Sequence, residues 1–495
     1  MTEYKNYIAG EWCDAASGER FENRNPAMWD ELVGTFPKSD ARDVDRAVEA
    51  AKKAYEGWRL VPAPERGELL KRVGDIMVGR KEEIATLMTR EMGKVIAETR
   101  GDTQEGIDTA FYAASEGRRL FSHTAPSEMR DKFNMSVRLP MGVAGIITPW
   151  NFPMAIPTWK IFPALVCGNT VVFKAASATP ATAAVLVEIL LEAGLPEGVV
   201  NIVHGPGSKV GMRILEHPDV RLVSFTGSSD VGRIINEVAG RDLKRVSLEL
   251  GGKNAQIVMD DANLELALDG VLWGAFGTTG QRCTATSRLI LHRPIKEKFM
   301  EMLIPRVEAL RLGDGLDPEV EVGPVIDEGQ RDTIHGYVEI GLKEDKAKLL
   351  CGGEPATSGD LVSGWFYKPT VFDEVKPGMR IAQEEIFGPV LSVLTVDDFE
   401  EAIAVLNGTQ FGLSSSIYTN DVNAAFAAIR DIECGITYIN GPTIGAECHM
   451  PFGGFKATGN GHREGGWEVY DFYTETKTCY IDFSGRLQRA QIDNR

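Results

Sequence analysis

At 495 residues the chain is long enough for roughly two to four domains with large hydrophobic cores. With 43% hydrophobic and 25% charged residues it has the composition of a soluble globular protein. A formal net charge of −18 argues against non-specific binding to nucleic acid or to an anionic membrane. Its seven cysteines (Cys13, Cys167, Cys283, Cys351, Cys434, Cys448 and Cys479) are scattered, odd in number and without CxxC spacing. That pattern speaks against disulfide staples and a zinc site, and for a reducing, cytoplasmic setting. The start, MTEYKNYIAGEW, lacks the basic-then-apolar layout of a secretory signal.

In chain order, helical periodicity marks residues 41–58, residues 64–89 and the segment after Lys94, with charged stripes on their outer faces. Residues 139–159, LPMGVAGIITPWNFPMAIPTW, run 21 positions without a charge, long enough to span a bilayer. Four prolines and Asn151 interrupt them. Because helix-interior proline costs about 3 kcal/mol, the stretch is predicted as buried strand and loop. From there short apolar runs alternate with helical ones: GVAGIITP, TVVFKAA, ATAAVLVEILLEAG, VVNIVHG, GMRILEH, LVSFTG, RIINEVAG and VSLELGG. Such a β, α, β, α rhythm predicts a parallel sheet covered on both faces.

A second series follows Cys283: SRLILHR, EKFMEMLIPRVEAL, KLLCGG, LSVLTV, FEEAIAVLN and SSSIYT. Strand-like residues 133–139 and 477–483 (KTCYIDF) belong to neither series and predict a β-flap used in oligomerisation. The expected fold class is α/β, with a Rossmann-like parallel-sheet cofactor domain, an α/β catalytic domain and a small β oligomerisation flap. The corresponding boundaries are 1–122 with 140–250 for dinucleotide binding, 251–464 for catalysis, and 123–139 with 465–495 for the bridging segment. A homodimer or homotetramer is expected.

The chemistry centres on TTGQRCTATSR, residues 278–288. Cys283 stands there among small residues that leave its sulfur approachable, although most cysteines are merely buried thiols. A thiol of ordinary pKa about 8.5 needs a base or a positive field to become a nucleophile, and the nearest histidine, His292, is nine positions away. In LELGGKN, Glu249 lies between two leucines before Gly251 and Gly252. Desolvation there would raise its carboxyl toward neutrality, as a general base requires, unless it is a strand-end residue facing solvent. In TPWNFP, Asn151 is a polar side chain in a proline-stiffened apolar segment, suited either to donating to an oxyanion or to closing a local turn. FTGSSDVG, from Phe225, follows an apolar strand and precedes a helix, so its amides suit a pyrophosphate. GPGSKVG, from Gly205, has the wrong spacing for a dinucleotide fingerprint. Lys174, ending VVFK, is placed to reach ribose or phosphate, or is simply solvated. His449 beside Cys448 has no further ligands nearby, so no metal site is expected.

Taken in order, WNFP, VFK, FTGS, LELGGKN, GQRC, EEIFGP and PFGGFKATGNGHRE resemble the aldehyde dehydrogenase superfamily, from the N-terminal IAGEW to the final KTCYIDF. The resemblance implies NAD(P)-dependent oxidation of an aldehyde to a carboxylic acid through a cysteine thiohemiacetal and thioester. Cys283 matches the nucleophile, and Glu249 the base that activates the deacylating water. Asn151 matches the amide that completes an oxyanion hole with the Cys283 backbone N–H, and Glu464 a second carboxylate assigned to proton relay. For the cofactor, Gly227 and Ser228 match the phosphate turn, Glu385 the ribose ligand and Phe387 a nicotinamide neighbour. Thr148, Pro149, Trp150, Lys174 and Gly251 fall on the same cleft. Ser177 stands where family members strict for NAD often carry a glutamate, so NADP is expected to be tolerated. Arg282, with the amides of Gly445 and Ala446 in the loop before PFGG, resembles branches oxidising carboxylated semialdehydes, such as the 2-aminoadipate and 2-oxoglutarate types. Arg282 as a structural ion-pair partner is the competing reading. CoA-dependent acyl release and a nicotinamide-free cysteine acyl hydrolase are the rival activities.

Overall fold

The apolar runs between residues 143 and 249 form the centre of a seven-stranded sheet in the computed structural model, which describes residues 2–493. Residues 1, 494 and 495, at the ends of the outermost expected segments, lie outside the described residues. The strands lie in the order Arg245–Glu249, Val220–Thr226, Val143–Ile147, Thr170–Lys174, Val200–Ile202, Asn6–Ile8 and Glu11–Cys13. The first five are parallel, and the two N-terminal ones add antiparallel. Alternation along the strands sends Ala144, Ile146, Val171 and Phe173 to one face, against Leu70, Met77, Ile107 and Phe162. Val143, Ile147, Val172 and Val223 go to the other, against Val44, Val48, Ile214 and Ile235. Both faces are therefore core, and the strands read as unbroken apolar runs.

A second seven-stranded sheet follows the order Lys348–Cys351, Thr370–Asp373, Val390–Val396, Arg288–His292, Ala255–Val258, Ser414–Tyr418 and Ile436–Ile439. It is parallel except at its KLLC edge, which pairs antiparallel with Thr370–Asp373. The strand-like segments outside both series find each other: Lys132–Pro140 pairs antiparallel with Thr474–Asp482 along its whole length, Asn134 opposite Tyr480. Thr124–Pro126 completes that three-stranded flap.

Three expectations change. Residues 64–89 form two helices, Ala63–Gly79 and Lys81–Met92, because Arg80 leaves helical geometry (φ −104°, ψ 10°) while the apolar stripe continues past the break. The end of the uncharged stretch is helix, not loop: Ala155–Val166 is buried on all sides, so it shows no periodicity. Pro157 is tolerated in its first turn, where backbone N–H groups have no intrahelical partner. The hairpin Arg20–Asn25 with Met28–Pro37 has no counterpart in the predicted elements. No helix among the described residues is long and apolar enough to cross a membrane.

Asn169 ties the flap to the first sheet. Its Oδ1 accepts from the Met141 and Gly142 N–H groups (2.8 and 3.1 Å) and its Nδ2 donates to the Tyr473 carbonyl (2.8 Å). Asn169→Ala leaves these buried groups unpaired, and urea unfolding is expected to register a loss of about 1–3 kcal/mol. An unchanged midpoint would show that the tie carries no stability.

Candidate active site

The strand order of the first sheet reverses at Val143–Ile147: the next strand in sequence lies on one side, and Val220–Thr226 on the other. Loops leaving the carboxyl ends of these two strands diverge and leave a crevice, the usual ligand position in open parallel sheets. One loop carries Thr148, Pro149, Trp150 and Asn151; the other carries Gly227 and Ser228. Ser228 caps the Ser229–Arg241 helix, accepting from the Val231 N–H at 3.4 Å, so that helix presents its positive end beside the crevice. Facing it, Glu385 accepts from the Gly252 N–H at 3.0 Å and presses on Gly251, where any Cβ would collide with its carboxylate. Burial pushes the Glu385 carboxyl up to about 7. Phe387 adopts left-handed backbone (φ 58°) and meets the Trp150 ring edge-on at 5.3 Å. Pro149, Trp150, Asn151, Gly227, Ser228, Gly251, Cys283, Glu385 and Phe387 all line this crevice.

Three expected cofactor residues do not line it. Thr148 is buried with its N–H on the Lys174 carbonyl (3.2 Å). Lys174 is buried too, donating to the Ala175 carbonyl at 2.9 Å, and burial lowers its amine to about 8. Ser177 donates to the Gly205 carbonyl at 3.1 Å.

Cys283 also lines a second cavity together with Glu249, Arg282, Gly445, Ala446 and Glu464. The sulfur thus stands where crevice and cavity meet. It is set there by a turn in which Thr278, Thr279 and Gly280 are all left-handed (φ 51°, 56° and 69°). Non-glycine residues adopt that conformation at a cost of roughly 1–2 kcal/mol each, so the turn needs external ties. Glu98 supplies them, accepting from the Thr278 N–H (2.8 Å) and hydroxyl (3.0 Å), while the Thr279 hydroxyl donates to the Gly323 carbonyl (2.9 Å). Asn254 holds the Cys283 carbonyl at 2.8 Å. Asn151 Nδ2 donates to the Gln281 carbonyl at 3.1 Å, which brings its second N–H to the same neighbourhood.

The two carboxylates at the cavity differ. Glu249 is buried and neither of its oxygens has a hydrogen bond among the described residues. Burial, reinforced by the charge of Glu464, pushes its carboxyl well above the usual range. Glu464 is also buried, but its Oε1 accepts from Lys160 Nζ (2.7 Å), Ser224 Oγ (3.0 Å) and Ser247 Oγ (3.3 Å). Burial, then the charges of Glu385 and Glu249, push the Cys283 thiol up to about 12. Arg282 is committed to the turn: Nη2 bonds Glu98 (2.8 Å), Nε bonds the Thr278 hydroxyl (2.8 Å), and the guanidinium lies over the Phe152 and Trp273 rings. The Gly445 and Ala446 N–H groups have no partner among the described residues. His449 pairs with Glu447 at 3.2 Å, and no group of three metal-ligating side chains occurs among the described residues.

A thiol between a sheet-edge crevice and a second cavity calls for comparison with known proteins. The aldehyde dehydrogenase family profile matches residues 12–479. The chain belongs to the aldehyde dehydrogenase family. It is similar to the alpha-ketoglutaric semialdehyde dehydrogenase of Bacillus subtilis, 45% identical over 97% of this chain and 98% of that one. The alpha-ketoglutarate semialdehyde dehydrogenase of Haloferax volcanii is 44% identical over 97% and 99%. The solved NAD-dependent aldehyde dehydrogenase from Sinorhizobium meliloti superposes with a TM-score of 0.95 at 39% identity, covering 99% and 96%. As an aldehyde dehydrogenase, the chain oxidises an aldehyde to the carboxylic acid with a nicotinamide dinucleotide as oxidant.

Gln330 and Glu105 are among the lining residues of this aldehyde dehydrogenase that escape sequence reasoning. Gln330 borders the crevice, its Nε2 donating to the Phe387 carbonyl at 2.9 Å, yet it sits on an ordinary amphipathic helix outside any motif. Glu105 borders the cavity from the middle of another. A thiol raised by burial is neutral at pH 7, and its reactive form grows as pH rises. Iodoacetamide labelling mapped to Cys283 in the cofactor-free enzyme is therefore expected to accelerate about tenfold per unit above about pH 7. A rate already level below about pH 8 would contradict a protonated resting thiol.

Proposed function

We propose that this enzyme oxidises an aldehyde carrying a carboxylate at its far end, of the 2-oxoglutarate semialdehyde type, and releases the acid with water. The observation that carries this is the pair of unpartnered amides at Gly445 and Ala446 in the cavity Cys283 closes, beside the Arg282 guanidinium. The B. subtilis and H. volcanii relatives are named for that substrate.

The residues of the crevice fit a dinucleotide. Gly227 and Ser228 at a helix N-terminus would hold pyrophosphate, Glu385 a ribose, and Trp150 with Phe387 the nicotinamide. Lys174 and Ser177, which do not line the crevice, are assigned to the adenosine half by the family resemblance alone; with no carboxylate at Ser177 to repel a 2′-phosphate, NADP is accepted as well as NAD. The bound cofactor supplies the hydride acceptor and, in its oxidised form, positive charge near the thiol. Glu249, unpartnered in the same cavity, takes the thiol proton and hands it to the Glu464–Lys160 pair. Cys283 Sγ then attacks the aldehyde carbon as the C=O π bond opens, and the resulting oxyanion is held by Asn151 Nδ2 and the Cys283 N–H, each donor typically worth about 2.7–4 kcal/mol. After hydride loss the acyl group remains on sulfur as a thioester. Glu249, with both oxygens free, takes a proton from the water that cleaves it, and the Glu464–Lys160 pair passes the proton on.

The division into residues 1–122 with 140–250, 251–464, and 123–139 with 465–495 belongs to the same reading. So do a cytoplasmic setting, favoured by seven free cysteines, and a homodimer or homotetramer formed through the flap.

Cys283→Ala is expected to abolish turnover and keep cofactor binding, checked by NADH formation and by quenching of protein fluorescence. Glu249→Gln should retain a hydride burst while steady-state turnover falls about 10²–10⁴-fold; normal steady-state rates would remove Glu249 from deacylation. Across a panel of semialdehydes and aliphatic and aromatic aldehydes, kcat/KM should be highest for 2-oxoglutarate semialdehyde, with both NAD and NADP and without CoA. Preference for uncharged aldehydes, or refusal of NADP, would remove the corresponding part of the proposal.

A further inference from the structure

The helix Ile96–Glu116 turns a stripe of three carboxylates toward the active site, because Glu98, Asp102 and Glu105 recur at i, i+4 and i+7. Two of them are committed. Glu98 holds Arg282 at 2.8 Å and the turn before Cys283. Asp102 holds the fully buried Lys94 at 2.8 Å and accepts from the Ala155 N–H at 2.7 Å. Glu105 alone has neither hydrogen bond nor ion pair to its carboxyl among the described residues, yet its side chain lines the cavity that Cys283, Gly445 and Ala446 share. Glu105 is half-buried, and a carboxyl left unpaired against the wall of an active-site cavity is available to a ligand.

We infer that Glu105 is a substrate-recognition residue, donating the O–H of its carboxylic acid to the carboxylate at the far end of the aldehyde. The inference rests on the carboxylated-semialdehyde reading above and deepens it. The titratable groups that interact with Glu105 are Asp102 and Asp108 on its own helix, Lys94 and Arg282 from adjoining segments, and Tyr438 and Cys448 from the second sheet and the loop before Pro451. Both cations in that set are already neutralised, Lys94 by Asp102 and Arg282 by Glu98. Little positive charge is left to hold Glu105 ionised. Desolvation, then the charge of Asp102, push its carboxyl up to about 8, outweighing the opposite pull of Lys94 and Arg282. At neutral pH the group is therefore an acid that donates; above that value it is an anion that repels a substrate carboxylate. Arg282 Nη1, uninvolved in the bonds to Glu98 and Thr278, and the Gly445 and Ala446 amides supply the remaining donors. Cavities built this way discriminate against substrates that leave a polar group unmatched.

The test uses the holoenzyme at saturating NAD, with 2-oxoglutarate semialdehyde and with pentanal, which has the same chain length and no charge. The ratio of KM values, carboxylated over uncharged, cancels titrations of Cys283 and Glu249 common to both substrates. In the wild type that ratio should rise about tenfold from about pH 7 to about pH 9, as the neutral fraction of Glu105 falls. Glu105→Gln, a permanent donor of the same shape, should flatten the profile and keep the ratio low at alkaline pH. A slope unchanged in Glu105→Gln, or a flat wild-type ratio despite preference for the carboxylated aldehyde at pH 7, overturns the inference alone. Absence of any preference for it at pH 7 overturns the inference together with the substrate class. The wild-type comparison stands even if the variant fails to fold.

Discussion

Between Val143–Ile147 and Val220–Thr226 the chain moves to opposite sides of its own starting strand, and the gap so created cannot be closed by backbone. Sheet hydrogen bonding holds both strands in register to their carboxyl ends, Ile147 beside Phe225, so the loops beyond are forced apart. Everything chemical is arranged around that separation. The turn at Gly227 and Ser228, the WNFP loop and the LELGG strand end all emerge at this edge of the sheet. The second sheet then brings Cys283 and Glu385 against it from the other side.

Desolvation is the second organising constraint. The thiol of Cys283 and the carboxyls of Glu249 and Glu385 are all raised, in each case first by burial. A site in which all three groups are desolvated disfavours their charged forms until a counter-charge is brought in. Within the same shell Glu464 keeps its bonds to Lys160, Ser224 and Ser247 while Glu249 keeps none. Two neighbouring carboxylates are thereby placed in different settings, one anchored and one unpartnered.

The helix Ile96–Glu116 links these constraints. It lies outside both sheets, yet Glu98 stabilises the left-handed turn that aims Cys283, and Asp102 pins the first turn of Ala155–Val166. Its third carboxyl opens on the cavity. One helical face thus holds the turn before Cys283, fixes a cavity wall and lines the cavity itself. Arg282 illustrates the exchange: a guanidinium next to the nucleophile looks in sequence like a substrate ligand, and in the fold most of its donors serve the turn.

Much of this was legible in residue order. Parallel strands buried on both faces are continuous apolar runs, so most of both sheets could be read directly, although the four-residue strands Ala255–Val258, Thr370–Asp373 and Ile436–Ile439 did not stand out, and seven motifs in order pointed to the family. A fully buried helix such as Ala155–Val166 has no polar face, so periodicity could not distinguish it from strand and loop. Nor could local patterns supply the pairing of residues 132–140 with 474–482, the commitment of Arg282 to Glu98, or the isolation of Glu105. Burial periodicity and backbone conformation are properties of neighbours in the chain, whereas the state of a charged group depends on which distant partner reaches it first. That is settled only when the chain has folded.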